Sequence, residues 1–249
     1  MDIDKKDQFD FIFKDVKKVL VVMAHPDDLE IICGGTVARL TATGRRVRSV
    51  VMTNGGKGMQ DRTDITEEKF GKLRVKEQMA AAKELGIPNK ESFNLNILDG
   101  ELEASVENIE KIVFHIRQFK PDIVITHNPK LMFVKYSKTS RWVNHRDHRN
   151  AGVIAWDAVY PYSRDRGFFP RHFIEPGLTP HIVNYILFSE AYQDESQVYF
   201  DITDFAEKRR SALLQYKSSM TEKDVNDLMD EIRYGDRYFE PLGYTDKLF

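Results

Sequence analysis

The chain has 249 residues, 41% of them hydrophobic and 31% charged, and this composition is typical of one globular domain, which we expect to span residues 1–249. Its formal net charge of -2 argues against a nucleic-acid binder, because such proteins meet the phosphate backbone with excess positive charge. Cys33 is the only cysteine, so no intrachain disulfide is possible, and no apolar run approaches the roughly 18 residues of a membrane span. We therefore expect a cytoplasmic protein with no membrane partner.

The first predicted element is a strand over residues 17–24 (KKVLVVMA), whose apolar run is typical of a parallel strand buried on both faces. Helical spacing of apolar residues over 35–43 then ends at Gly44, which readily stops a helix because glycine accepts positive φ. A second strand is predicted over 47–53. Strand, helix and strand together form a predicted β-α-β unit.

The second strand is followed by a glycine-rich loop, residues 54–58 (NGGKG). This loop lacks the Lys-Ser/Thr pair and the G-x-G-x-x-G pattern of phosphate-binding loops, so we expect its glycines to let the backbone approach a ligand or move as a flap. The clearest helix follows over 66–85, where apolar residues share one side. Residues 92–98 alternate polar and apolar, which predicts a strand nearer the sheet edge.

Another helix and another buried strand are predicted over 106–119 and 123–126. Residues 129–144 show no clear period and are expected to form a functional loop. The apolar spacing after Asp147 then predicts a helix whose first turn contains His148.

The last third of the chain is less regular. Residues 160–180 contain several prolines and are expected to form a wall or a lid, and 183–188 and 198–202 are strand candidates. A helix is predicted over 202–217, and the aromatic tail beyond it is expected to pack on the body. Strands that alternate with helices predict a Rossmann-like α/β fold, in which a doubly wound, mostly parallel sheet lies between helices in three layers.

Two clusters of polar residues follow strands at one edge of this sheet, residues 24–30 (AHPDDLE) and 144–148 (NHRDH). Pro-Asp-Asp alone is ordinary turn chemistry, but the second cluster repeats the same kinds of group at the same short spacing. A tight turn lets His25 and Asp28 converge, and His148 can reach them from the facing loop. His, Asp and His suit Zn²⁺, and three protein ligands leave a fourth position for water.

The remaining polar residues of the two clusters suit acid–base roles. Asp27 lies beside a ligand without having to be one, so it is the candidate base for the proton of a metal-activated water. His145, one helical turn before His148, is the candidate that stabilises an oxyanion and protonates a leaving amine. Asp147 is the candidate that orients either histidine through its other ring nitrogen. The predicted reaction is metal-assisted hydrolysis of an acyl or a phosphoryl group.

Residues 24–28 (AHPDD) and 145–148 (HRDH) resemble the two motifs of the PIG-L/LmbE-like family of zinc-dependent N-acetylglucosaminyl deacetylases. The resemblance covers nearly the whole chain. Its shorter matches are Gly34-Gly35-Thr36, residues 53–58, Arg74 with Glu77, Leu85-Gly86, Asp99-Gly100, Pro121-Asp122 and Pro180-His181.

Carried over by motif position, the resemblance implies roles for individual residues. The implied metal ligands are His25, Asp28 and His148, with a general base at Asp27 and an oxyanion or acid role at His145. Arg74 and Asp99 match positions that contact sugar hydroxyls. Arg146 stands where the family commonly has proline, a change expected either to loosen the second loop or to bring a cation near the substrate.

The implied function is removal of the N-acetyl group from an N-acetylglucosamine-type amino sugar or a related small conjugate, with Zn²⁺ as cofactor. A metal-dependent phosphoesterase is the alternative, although such enzymes normally use a second metal and more ligands. A carbohydrate-binding protein of the same fold without catalysis is a third hypothesis, which the intact Asp27 and His145 disfavour. Relatives are often oligomeric, so the resemblance also implies a homo-oligomer.

Four further histidines are expected to be structural: His115, His127, His172 and His181. His127 differs from the others because it ends a strand at the predicted active edge and could line the pocket. Glu30 is expected to be either a partner of a metal ligand or a carboxylate favoured by the start of a helix. Cys33 is expected to be an inert, packed thiol.

Overall fold

The structure, a computed structural model, describes residues 6–135, 141–174, 177–189 and 197–245. The α-helices are α1 (Phe9–Phe13), α2 (Asp28–Ala42), α3 (Glu67–Glu84), α4 (Val106–Phe119), α5 (Arg146–Asp157), α6 (Ala206–Leu213) and α7 (Glu222–Glu231). The strands are β1 (Lys18–Met23), β2 (Arg46–Thr53), β3 (Ser92–Ile97), β4 (Ile123–Thr126), β5 (Phe133–Lys135), β6 (Arg141–Val143), β7 (Tyr185–Phe188), β8 (Gln197–Asp201), β9 (Arg233–Tyr234) and β10 (Arg237–Tyr244).

The main sheet has the strand order β3-β2-β1-β4-β7-β10-β8, and β9 pairs with β10. Neighbouring strands from β3 to β7 are parallel, whereas β10 is antiparallel to both β7 and β8. The predicted mostly parallel sheet is therefore confirmed. Because the chain winds outward in both directions from β1, a crevice opens beyond the carboxyl ends of β1 and β4, where doubly wound folds bind ligands.

The strand β1 is apolar throughout because both of its faces are buried. Its residues alternate between two hydrophobic clusters, with Val19 and Val21 on one face of the sheet and Leu20 and Val22 on the other. The first cluster includes residues of α2 and α3, and the second includes residues of α4 and α5. This packing gives the predicted three layers, with helices on both sides of the sheet.

Four segments differ from the sequence-based expectations. The helix predicted over 35–43 begins earlier, since α2 starts at Asp28 inside the first polar cluster. The predicted helix over 202–217 is shorter, since α6 covers only Ala206–Leu213 after a 3₁₀ turn at Thr203–Phe205. The tail does more than pack on the body, because it forms β9 and the sheet strand β10. The loop 129–144 contains the hairpin strands β5 and β6, and its residues 136–140 lie outside the described part of the chain.

A buried ion pair ties the last strand to the helix that follows the first polar cluster. The carboxylate of Glu240 in β10 accepts hydrogen bonds from the backbone N–H of Gly35 (2.8 Å) and of Thr36 (2.7 Å). Arg209 of α6 lies 3.2 Å from the same carboxylate, and both charged side chains are at most 1% exposed. These N–H groups are free to bond Glu240 because α2 is kinked at Cys33, whose φ of -145° is not helical.

None of the helices in the described ranges combines the length and the hydropathy that crossing a bilayer requires.

Candidate metal centre

Parallel pairing brings the two polar clusters together. β1 lies between β2 and β4, so the turn that leaves β1 is adjacent to the end of β4. The helix α5 begins at this edge, and its first turn carries His148 toward the turn after β1, as predicted. His25, Asp28 and His148 come from two segments 123 residues apart in the chain, yet they meet at one point.

Three side chains converge in a triad of His25, Asp28 and His148. The Nδ1 atom of His25 lies 3.1 Å from Nε2 of His148 and 3.5 Å from Oδ2 of Asp28, while His148 Nε2 lies 3.2 Å from Asp28 Oδ1. Asp28 is held in this orientation because its Oδ2 accepts the backbone N–H of His25 at 2.7 Å. The triad can therefore offer two imidazole nitrogens and a carboxylate to a single ion.

The spacing of these atoms fits a tetrahedral metal. Adjacent ligand atoms around a zinc ion with bonds of about 2.0–2.2 Å lie roughly 3.3–3.6 Å apart. The three distances in the triad, 3.1, 3.2 and 3.5 Å, are close to that range. Two nitrogens and a carboxylate are also the donor atoms that zinc binds most often. The donor set thus fits the ion that the sequence predicts.

The other nitrogen of His25 explains why Nδ1 faces the triad. Its Nε2 lies 3.2 Å from Oδ1 of Asp99 and 3.3 Å from Oδ2 of Asp147. Two carboxylates favour a proton on Nε2, which leaves the lone pair of a neutral ring on Nδ1. Burial lowers the pKa of His25, but its bonds with Asp147, Asp28 and Asp99 outweigh burial and hold the pKa well above its usual value, so a metal that binds Nδ1 would displace a proton from it. Asp147 therefore orients His25, one of the two histidines considered for it.

Asp27 lies beside the triad in a conformation that is rare for a residue with a side chain. Its φ of 102° is positive, and such strain persists only where surrounding contacts enforce it. Its Oδ2 accepts a hydrogen bond of 2.8 Å from Arg74, whose guanidinium also bonds the carbonyl of Pro26 and the hydroxyl of Ser219. Burial raises the pKa of Asp27, and the charge of Arg74 offsets only part of this rise. Asp27 is thus a carboxylate disposed to accept a proton.

Arg74 does not face the solvent, although the resemblance places it against sugar hydroxyls. Its side chain is 6% exposed and spans the gap between the turn after β1 and the ring of Tyr216, with the guanidinium carbon 5.1 Å from the ring centre. The contacts of this arginine in the structure are therefore with the candidate base and its neighbours.

His145 caps α5 and faces the same space. Its Nδ1 accepts the backbone N–H of Asp147 at 3.2 Å, and its ring centre lies 4.7 Å from that of His25. Burial, together with the nearby His25 and His148, lowers the pKa of His145. Because Nδ1 accepts a hydrogen bond, the proton of the ring is on Nε2, which makes Nε2 a hydrogen-bond donor.

His127 is the site residue that sequence reasoning left among the structural histidines. Its Nε2 lies 3.2 Å from Oδ2 of Asp28, and its ring stacks on that of His148 with centres 4.1 Å apart. The backbone N–H of Ala24 also points at Nε2, at 3.2 Å. His127 thus supports two triad members without joining the triad. Its place at the end of a buried strand on the active edge was the signal that could have identified it.

The remaining residues singled out in the sequence lie apart from the triad. Glu30 sits in the first turn of α2, where its carboxylate accepts the hydroxyl of Tyr216 at 2.9 Å, and burial raises its pKa to about 8. Cys33 is buried, as expected of a packed thiol, and burial raises its pKa; its inertness stays a prediction. His115, His172 and His181 pack in other parts of the fold.

The sequence matches the profile of a known family over residues 20–159, a range that contains both polar clusters; the family is described as PIG-L: GlcNAc-PI de-N-acetylase. The chain is also 32% identical over 247 residues to the diacetylchitobiose deacetylase of Thermococcus kodakarensis, which covers 95% of this chain and 86% of the relative.

Solved structures agree with this similarity. The N,N'-diacetylchitobiose deacetylase from Pyrococcus horikoshii, in complex with its inhibitor MPG, superposes with a TM-score of 0.81 and 29% identity, covering 95% of this chain and 86% of the other. The 4-carboxy-2-hydroxymuconate hydratase from Pseudomonas putida KT2440 has a TM-score of 0.74 and 20% identity, covering 94% and 98% of the two chains. At that identity the hydratase shows a shared fold and nothing further.

Proposed function

This chain belongs to the PIG-L family of deacetylases, and from that premise we propose that it is a zinc-dependent enzyme that removes the acetyl group from an N-acetylglucosamine-type amino sugar or a related small conjugate. The observation that carries the proposal is the triad of His25, Asp28 and His148, with a strained, partly buried Asp27 beside it. Diacetylchitobiose, the substrate in the name of the 32% identical relative, is the first compound to test.

The proposed mechanism divides the work among residues of the two clusters. Zinc, when bound by the triad, would lower the pKa of its water to about 7 and polarise the acetyl carbonyl. Asp27 accepts the proton of the attacking water, for which its raised pKa suits it. His145 donates its Nε2–H to the oxygen that becomes negative. Because His145 keeps its Nε2–H in this scheme, the proton that Asp27 has taken is the one transferred to the leaving amine.

Asp99 and Arg74 have different proposed duties. Asp99 reaches the same space as the triad, with Oδ1 3.2 Å from His25, so its carboxylate is the one placed to accept a sugar hydroxyl. Arg74 holds Asp27 in place through the 2.8 Å bond. We propose that Arg74 acts on the substrate through Asp27 and not by direct contact.

The phosphoesterase alternative is less well supported by the same residues. A two-metal phosphoesterase needs two sets of ligands, and the second group that could hold a metal, formed by His25, Asp99 and His145, shares His25 with the triad. The two groups therefore compete for one histidine. A single zinc and a deacetylation reaction suit the described residues better.

The test is acetate release from N,N'-diacetylchitobiose and from N-acetylglucosamine by the zinc-loaded, the chelated and the Asp27→Ala protein. We expect activity only with zinc, and a loss of about 10²–10⁴-fold in kcat for Asp27→Ala, because it lacks the general base. The matched control is Asp227→Ala, which removes an exposed carboxylate that pairs with Lys223 in α7. Equal activity of the Asp27→Ala and wild-type enzymes, or no cleavage of any acetylated amino sugar by the zinc form, would refute the proposal.

A further inference from the structure

Arg146, the first residue of α5, connects the start of that helix to the loop that leaves β3. Its Nη1 donates hydrogen bonds to the carbonyl oxygens of Gly100 (3.1 Å) and Leu102 (3.0 Å), and its Nη2 donates to Oε1 of Glu103 (2.8 Å). The carboxylate of Asp147 lies 3.9 Å from Nη1. All these acceptors except Asp147 belong to residues 99–103, the loop that leaves β3. Arg146 therefore holds this loop against the start of α5.

Two further side chains of α5 hold the same loop. Asp147 accepts the backbone N–H of Gly100 at 2.6 Å, and the side-chain amide of Asn150 donates to the carbonyl of Leu102 at 2.6 Å. On the opposite side, the backbone N–H of Lys57 donates to Oδ2 of Asp99 at 3.0 Å. The loop is thus fixed between the glycine-rich loop and α5.

The loop matters because it carries Asp99 into the site. The Asp99 side chain is 10% exposed, and its Oδ1 lies 3.2 Å from Nε2 of His25 while Oδ2 is engaged by Lys57. The next residue, Gly100, has a φ of 76°, so the chain turns sharply at the point where Arg146 and Asp147 bind it. A shift of the carbonyl of Gly100 would therefore move the Asp99 carboxylate directly.

We propose that Arg146 is a positioning residue that sets the place of the Asp99 carboxylate, and through it the binding of the sugar. This inference rests on the proposed function, in which Asp99 accepts a sugar hydroxyl. Proline, the residue expected here from the resemblance, has no side-chain donor and makes none of these contacts. The guanidinium also points at carbonyl oxygens of the loop, so it acts on the substrate through Asp99 and not as a free cation.

The experiment compares Arg146→Ala, Arg146→Pro and Arg146→Lys with the wild type in the zinc-loaded state, using N,N'-diacetylchitobiose. We expect KM to rise about tenfold in Arg146→Ala and Arg146→Pro, while kcat changes less than about threefold, because a contact present in both ground and transition states is lost. Arg146→Lys should recover part of the loss, since an ammonium can still donate to one carbonyl. Zinc content should equal that of the wild type in every variant.

Two controls separate positioning from general destabilisation. Glu103→Gln removes only the ion pair, so KM should remain near the wild-type value if the carbonyl contacts matter. Arg210→Ala removes an arginine that bonds Glu222 and Asn226 between α6 and α7, and it should leave KM unchanged.

The decisive comparison places Arg146→Ala in an Asp99→Asn background. If Arg146 acts through Asp99, the second substitution adds little to the first, because the effects of coupled residues are not additive. An unchanged KM in Arg146→Ala, an equal rise of KM in both backgrounds, or a joint loss of kcat and zinc would overturn the proposal.

Binding of glucosamine, measured by calorimetry, reports the same sugar contact without turnover. A wild-type enzyme that binds glucosamine and cleaves the disaccharide, together with an Arg146→Ala enzyme that does both equally well, would refute the role of Arg146 alone. A wild-type enzyme that neither binds the sugar nor cleaves the disaccharide would refute the proposed function and, with it, this inference.

Discussion

At the scale of single residues, Arg74 has two possible roles, which are to orient Asp27 or to contact the sugar directly. Its hydrogen bond to Asp27 favours the first. Arg74→Lys keeps the charge but supplies one ammonium for three acceptors that the guanidinium now serves: Pro26, Asp27 and Ser219. We expect kcat to fall about 10–100-fold with a small change in KM, because the base loses its orientation. Steady-state kinetics on the zinc-loaded enzyme measure this split.

Ser219→Ala is the matched control, since it removes the contact of Arg74 that lies farthest from Asp27, and kcat should change little. A rise in KM at constant kcat in Arg74→Lys would instead indicate direct contact with the sugar, as the family resemblance implies.

A second residue prediction concerns His115, which is 6% exposed and packs against Phe93 with ring centres 4.7 Å apart. Burial, aided by the charge of Arg48, lowers the pKa of His115 from 6.5 to about 4, while Glu91 opposes the shift weakly. Between these values the unfolded chain binds a proton that the folded chain does not. The stability contributed by the neutral ring is thus fully present above pH 6.5 and is lost as the pH falls toward 4.

We expect His115→Phe to lose less stability than the wild type between pH 7 and pH 4.5, by roughly 2.5 kcal/mol in the free energy of unfolding. Urea unfolding of both proteins at the two pH values measures the difference. The contributions of the other histidines cancel, because both proteins contain them. Parallel pH dependence of the two proteins would show that His115 is accessible to protons in the folded state.

Most of the candidate site could be predicted from residue types, because the residues within each polar motif are close together in the sequence. The tight turn of 25–28 and the helical spacing of His145 and His148 bring together the residues within each cluster, and the predicted sheet edge brings the two clusters together. Arg74 and His127 were harder, because each is a lone polar residue whose partner is distant in sequence. Only the folded structure shows that Arg74 meets Asp27 and that His127 meets Asp28.

At the scale of secondary structure, the close approach of α5 to the end of β4 controls the distance between the two polar clusters. A Cβ atom at Gly152 would lie 2.6 Å from the carbonyl oxygen of His127 and 3.0 Å from the backbone nitrogen of Pro129, and neither backbone atom can yield easily. Gly152→Ala would therefore push α5, which carries His148, away from His127 and Asp28.

We expect Gly152→Ala to lower stability by about 1–3 kcal/mol, as other overpacked substitutions do, and to weaken zinc binding several-fold. Thermal unfolding and zinc titration with a competing chelator measure the two effects. Gly167→Ala is the matched control, because nothing lies within 4 Å of its Cβ position and its φ is not positive. Equal zinc affinity in the two variants would show that α5 tolerates the shift.

The elements that the sequence predicted well are those with one clear period. The apolar run of β1, the helices α3 and α4, and the edge position of β3 all follow from burial patterns within the elements themselves. β10 escaped prediction for a physical reason: it contains Pro241, which lacks an N–H, and the buried charge of Glu240, and both argue against a strand inside a sheet. The carboxylate is tolerated there because Arg209, Gly35 and Thr36 satisfy it.

At the scale of the whole molecule, the metal would link segments that are far apart in the chain. His25 and His148 are separated by 123 residues, so an ion bound by both closes a long loop in the folded state only. At a free zinc concentration of about 100 times Kd, the expected gain is about 2.7 kcal/mol, or roughly 5–10 °C in Tm. Thermal unfolding with zinc and with a chelator measures it.

His148→Ala should abolish most of this zinc-dependent gain, whereas His115→Phe should retain it, because His115 is no part of the triad. A zinc-dependent rise of equal size in His148→Ala would place the ion elsewhere. The homo-oligomer expected from the resemblance stays a prediction, which light scattering of the zinc-loaded protein would measure.

The position of β10 in the sheet affects when the contacts around the first polar cluster can form during synthesis. This strand is synthesised after the other described strands of the sheet, yet it lies inside the sheet between β7 and β8, and its Glu240 bonds the helix that begins with Asp28. Until Glu240 emerges, the buried guanidinium of Arg209 and the N–H groups of Gly35 and Thr36 lack this partner. The helix that begins with Asp28 therefore gains these contacts only after β10 has been synthesised, more than 200 residues after the turn that precedes the helix.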